Sequence, residues 1–265
     1  MRHIMLTEET DITYFVPTGS IVRKIWGRSE TVLFIFAGAA AEFSLNKSVD
    51  WLYFTGKLPH DPIGRLFSTV SYARKIIFFK EKTALGAIDK MRQVHTTVEG
   101  ARGISIPEWA YRDVLYMLIY YSITSFELLE RRLTKEEKGE VFRVFIAVGK
   151  RMGLSDLANT FDEWVADRRK QLTLDIEKSN FTLDLYKQYR KHLGLLRYII
   201  LLKVQGRIAP EEVRRLLGLK SSAVVPAAVW LYKIVSIFRM DQLLKPYLLP
   251  SKYKRQFREM EKGEM

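Results

Sequence analysis

The chain has no cysteine among its 265 residues. Disulfide scaffolds, cysteine-bound zinc, iron–sulfur clusters, thiolate haem ligation and covalent C-x-x-C-H haem attachment are therefore excluded together. Any metal must be held by histidine, by carboxylate or by a cofactor's own atoms. Turn formers are also scarce: 15 Gly and 8 Pro fall short of the roughly 12% of an average chain, which disfavours a many-stranded sandwich and favours long helices. No apolar run reaches the roughly 20 residues of a bilayer span. The two nearest, at 31–45 and 223–238, are broken by Glu42 and by Pro226 and Lys233, so buried helices are expected at both. With Lys233, Arg239 and Lys245 around it, the second also has the composition of a segment lying on a membrane surface. The opening MRHIMLTEETDITYF lacks the basic start, apolar middle and small-residue cleavage site of a secretory signal. The expected location is cytoplasmic, with peripheral membrane association as the variant.

What is present points to a folded, basic protein. With 48% hydrophobic and 28% charged residues, the chain can bury enough surface to offset its ordering entropy. The formal charge of +13 suits anionic partners: nucleic acid, acidic lipid or an anionic cofactor. Charge alone does not choose among them.

Helix starts are legible. Asp61-Pro62 sets a capping acceptor before a proline at the first helical position; Ser105-Ile106-Pro107-Glu108 and Thr134-Lys135-Glu136-Glu137 read as capping boxes; Pro210-Glu211-Glu212 puts acid in a first turn. These starts and the apolar periodicity predict helices near 18–26, 30–46, 47–56, 62–79, 83–99, 107–132, 135–152, 159–177, 182–204, 210–218, 222–239 and 250–261. No alternating run suggests a sheet. The expected fold is a single all-α domain of about ten to twelve helices over 17–250, with an N-terminal extension at 1–16 and a charged tail at 251–265.

Of the four histidines, His95 stands apart. It follows Met91 by four and Ile88 by seven residues, so the apolar stripe of its helix carries the imidazole inward. His3 falls in a terminal tail, His60 in a loop before Asp61, and His192 beside Arg190 and Lys191. On the preceding helix Arg65, Thr69 and Tyr72 share a face among apolar residues. An inward arginine needs an anion. An ion pair with Asp61, Asp50 or Glu42 would supply one, and so would a buried anionic ligand, whose carboxylate the guanidinium fork matches. Glu42 itself interrupts an apolar helix and requires a partner or a raised pKa. By pattern, a core histidine with satisfied hydrogen bonds and a metal ligand both remain open for His95.

The string Asp61-Pro62-Ile63-Gly64-Arg65-x3-Thr69-x2-Tyr72, then Phe78-Phe79, then Val94-His95-x2-Val98-x-Gly100 resembles the oxygenase family of the rubber oxygenases (latex-clearing proteins) and a fungal endoplasmic-reticulum oxygenase that cleaves a terpenoid side chain. The similarity extends more weakly over residues 17–220. The resemblance implies a b-type haem with His95 as the proximal iron ligand and Arg65 and Thr69 close to the haem. It further implies an oxidoreductase that uses O2 on a hydrophobic, unsaturated or isoprenoid-like substrate, assisted by a distal base. Asp50 and Glu42 are the nominees for that base, Glu42 being preferred for its drier surroundings, and Arg65 is expected to act beside it.

The competing classes are a non-catalytic helical module that holds haem or a lipid, and one that binds nucleic acid or an anionic membrane. The second rests on residues 65–103, which carry Arg65, Arg74, Lys75, Lys80, Lys82, Lys90, Arg92 and Arg102 against Glu81, Asp89 and Glu99. If they faced outward as one patch, these cations would bind phosphates in a salt-dependent way. No helix-turn-helix spacing or RNA-binding aromatic motif accompanies them, and nucleic acid is not the expected partner.

Overall fold

A computed structural model describes residues 13–56, 60–221, 225–227 and 255, with the side chain of Leu66 excepted. Among the described residues the fold is all-α and forms no strand. Eleven helices follow in chain order: α1 (Ile21–Trp26), α2 (Ser29–Phe43), α3 (Asp50–Phe54), α4 (Pro62–Phe78), α5 (Glu81–Arg102), α6 (Glu108–Leu129), α7 (Lys135–Met152), α8 (Phe161–Leu174), α9 (Asn180–Leu193), α10 (Leu195–Ile208) and α11 (Glu211–Leu217).

Several start signals act as read. Asp61 accepts from the Gly64 amide at 3.1 Å, and Pro62 occupies the first helical position. At α7 Thr134 and Glu137 cap each other reciprocally. The Ser105–Glu108 box does not form. Helix α6 starts at Glu108 without a side-chain cap, because the Glu108 carboxylate is used elsewhere: it accepts from the Asp156 amide at 2.8 Å and from the Ser155 amide. The helix expected over 182–204 is two helices. Gly194, at φ +74° and ψ 167°, adopts backbone angles that only glycine takes readily, and it breaks the run into α9 and α10. The helices expected at 222–239 and 250–261 fall outside the described residues apart from 225–227 and 255.

Helices α2 and α6 form the centre, with α10, α1, α7 and α8 packed around them. The main apolar cluster gathers residues from Val16 to Ile208, including Trp26, Ile35, Met117, Ile119 and Phe145. The close approach of α2 to α6 depends on Gly38, where an added Cβ would sit 2.2 Å from the Tyr121 ring. On one flank α4 and α5 form an antiparallel hairpin. Tyr72 and Ile76 from α4 meet Ala87, Ile88 and Met91 from α5 against Val148 of α7. This docks the hairpin on the bundle and fixes the height at which Arg65 and His95 lie.

Candidate functional site

The hairpin turns at Lys80, fifteen residues from Arg65 and fifteen from His95. Antiparallel packing therefore places these two side chains at the same level. His95 is half-buried, and the Tyr111 ring from α6 stands nearly perpendicular to it, 5.1 Å between centroids. Burial lowers the His95 pKa, and the nearby Arg65 charge adds to the effect, with Glu99 acting in opposition. At neutral pH the imidazole is uncharged, with one nitrogen free to act as acceptor or ligand. Its Nδ1 is buried and has no hydrogen-bond partner. A buried polar atom left unmatched is uncommon and marks a place where a ligand can complete the set.

His95 opens onto a cleft of about 260 Å³ between α5, α6 and the end of α7, lined by Arg92, Glu99, Ile106, Tyr111, Met152 and Leu154 among others. Tyr111 donates to Glu99 Oε1 at 3.0 Å, and the Ile106 amide donates to the same oxygen at 2.8 Å. Tyr111 is thereby fixed against the imidazole. The imidazole is neither sealed in the core nor out in solvent. The cleft volume lies just under the roughly 300–1,000 Å³ of pockets that enclose a drug-sized ligand. It is open on one side, so it bounds only the part of a ligand that the walls surround.

The other expected site residues separate into two places. Arg65 is half-buried and makes no ion pair among the described residues; burial lowers its pKa. Of the carboxylates nominated for it, Asp61 caps α4. Asp50 takes Arg102 at 2.6 Å, with that guanidinium 4.0 Å above the Trp51 ring. Glu42 takes Arg168. Thr69 donates to the Arg65 carbonyl oxygen at 3.1 Å, so its hydroxyl proton stays on its own helix.

Glu42 is fully buried, and both its oxygens accept from the Arg168 guanidinium at 2.5 Å. Tyr121 donates to it at 3.1 Å. Tyr121 lies ten residues beyond Tyr111 on α6, about 15 Å along the helix axis. Glu42 does not line the His95 cleft. Glu42, nominated above as a distal base, is thus held in a buried ion pair with Arg168.

Sequence reasoning missed Tyr111, Glu99 and Arg168. Glu99 had a signal, since it follows His95 by four residues and so shares its face. Arg168 had none, because it sits in the run Asp167-Arg168-Arg169-Lys170, where nothing distinguishes the one that turns inward. His60 is exposed, His192 lies half-buried in the last turn of α9, and His3 is outside the described residues. The cations of residues 65–103, on which the competing nucleic-acid reading rests, do not all face outward. Arg74 is buried, Arg102 is paired, Arg92 lines the cleft and Lys75, Lys80, Lys82 and Lys90 are exposed.

The cleft wall thus carries one imidazole with an unpartnered nitrogen and a lowered pKa. Among the described residues no group of three or more His, Asp or Glu could hold a bare metal ion, whereas a porphyrin supplies four nitrogens and needs one protein ligand. Residues 24–238 match the family described as ER-bound oxygenase mpaB/B'/Rubber oxygenase, catalytic domain, and the chain belongs to that family. Searches of curated proteins and of solved structures give no significant match.

Proposed function

We propose that this chain is a haem-dependent oxygenase that acts with O2 on a hydrophobic, unsaturated or isoprenoid-like substrate, with His95 as the proximal iron ligand. The observations that carry the reading are that His95 lines a cleft and that its buried Nδ1 has no partner, in a chain of an oxygenase family. When bound, b-type haem supplies an iron that binds and activates O2.

The chain's own residues have separate tasks. His95 offers a neutral imidazole, kept uncharged by burial and by Arg65. Tyr111, anchored by Glu99, restricts rotation of that ring. Arg65, a cation without a carboxylate partner among the described residues, is suited to an anionic edge of the cofactor such as a propionate. Thr69 sits one turn along and retains acceptor capacity on its hydroxyl for the same edge. Ile106, Met152 and Leu154 supply the apolar part of the cleft wall. Glu42 serves the framework, holding α2 to α8 through Arg168. The location is proposed to be cytoplasmic. Among the described residues no helix is long and apolar enough to cross a membrane.

The test is oxygen uptake by protein supplied with haemin and an isoprenoid polymer or a long-chain terpenoid. The expected result is substrate-dependent O2 consumption that is lost in His95→Ala. A haemin-loaded protein that consumes no O2 with any such substrate would assign the chain to haem or lipid binding without turnover.

A further inference from the structure

We propose that the α9–α10 elbow is a docking surface for an anionic lipid membrane. Its apolar part is the first one and a half turns of α10. Leu195 is 61% exposed, Leu196 73%, Ile199 44% and Ile200 42%. At 3.6 residues per turn these four lie within about 140° of arc on one side of the helix. They do not contribute to the core, which this helix meets through Val204 and Ile208. Four adjacent exposed aliphatic side chains mark an interaction site rather than the scatter normal for a surface.

Charge selects the occupant. From Leu185 to Pro210 there is no acidic residue, while Lys187, Arg190, Lys191, Arg197, Lys203 and Arg207 all fall in that stretch. Lys187, Arg190 and Lys191 are exposed on α9 immediately before the apolar tip. Lys203 and Arg207, also exposed, continue the same arc of α10 beyond it. Cations therefore flank the aliphatic tip on both sides. The one acid within α9, Asp184, is engaged by Tyr53 at 2.8 Å and by Gln188.

A second copy of the chain is disfavoured on this face, because a two-fold contact would bring the cations of one elbow against those of the other. Nucleic acid is disfavoured by an aliphatic tip that offers no ring to stack on bases. An anionic bilayer matches both features: its headgroup region accepts a short apolar insertion, and its charge attracts the flanking lysines and arginines. Leu195 to Ile200 spans about 7.5 Å of helix, a length for lying in the headgroup region and not for crossing. The surface is separate from the His95 cleft, and its test does not depend on haem.

The experiment is co-sedimentation of the full chain with phosphatidylcholine vesicles, with and without about 30% phosphatidylserine, over a range of salt. The expected partition onto anionic vesicles is at least tenfold above that onto neutral ones and weakens steeply with salt. Leu196→Glu with Ile200→Glu should lower it at least tenfold, as should Lys187→Glu with Lys191→Glu, with helical circular dichroism unchanged. If the first pair loses helicity, the second pair, on exposed lysines, decides alone. The proposal is overturned if the full chain ignores anionic vesicles, if the folded variants bind as well as the parent, or if the first pair converts a dimer into a monomer.

Discussion

Two carboxylates in the same helical core, Glu42 and Asp113, meet burial by different routes. Both oxygens of Glu42 accept from the Arg168 guanidinium in a bidentate pair. Removing either partner leaves a buried charge unmatched, and a loss of about 3–5 kcal/mol is expected for Glu42→Ala or Arg168→Ala. Denaturant melts should show the double variant losing clearly less than the sum of the two, the mark of a coupled pair. Asp113 is fully buried and accepts from Asn46 at 3.0 Å, while its other oxygen has no hydrogen-bond partner. Burial, reinforced by the like charge of Asp175, pushes its pKa up to about 7. The folded state thus retains a proton that the unfolded chain releases near pH 4, so this group costs stability progressively as pH rises from about 4 to 7, and fully above that. Asp113→Asn lacks the cost. Relative to the parent it should gain on the order of a few kcal/mol between pH 4 and pH 8, read as a difference of melting curves. His95 shows how far the sequence goes at this scale. Its inward stripe was legible from Ile88, Met91 and Val98, but its contacts were not, because Tyr111 and Arg65 reach it from other helices.

At the scale of the element, the α2–α6 contact is set by one missing side chain. A methyl at Gly38 would overlap the Tyr121 ring, and that ring is fully buried and tied to Glu42, so it cannot swing away. Gly38→Ala is expected to destabilise by about 1–3 kcal/mol, visible as a lowered thermal midpoint, whereas Gly86→Ala on α5, where the added methyl meets nothing, should be neutral or stabilising. The α4–α5 hairpin was legible as two helices because Asp61-Pro62 punctuates its start and its apolar stripes are regular. The division of 182–204 was not. Apolar periodicity runs through Leu193-Gly194-Leu195 without a phase that betrays a break, and a glycine inside a helical pattern is tolerated often enough to be passed over. The unformed cap at Ser105 failed for a related reason: a capping box is local, and Glu108 was claimed by amides at 155 and 156, far along the chain.

For the whole molecule, composition and periodicity sufficed for an all-α fold because helix starts and apolar stripes are local signals. The resemblance carried by Arg65, Thr69 and His95 led to the oxygenase family. What the sequence did not resolve was which buried polar groups face each other, since Glu42 and Arg168 lie 126 residues apart. Haem binding at the His95 cleft through the imidazole is the proposal on which the function rests. Because burial and Arg65 lower the pKa of that group, proton competition for the ligand nitrogen should begin only below the ordinary histidine value of about 6.5. The most direct measurement is the absorption spectrum of the purified protein titrated with haemin between pH 8 and pH 6. The expected result is a Soret band that saturates at one haemin per chain across that range and is lost or shifted in His95→Ala. A protein that stays colourless and takes up no haemin, or a His95→Ala spectrum identical to the parent's, would contradict it.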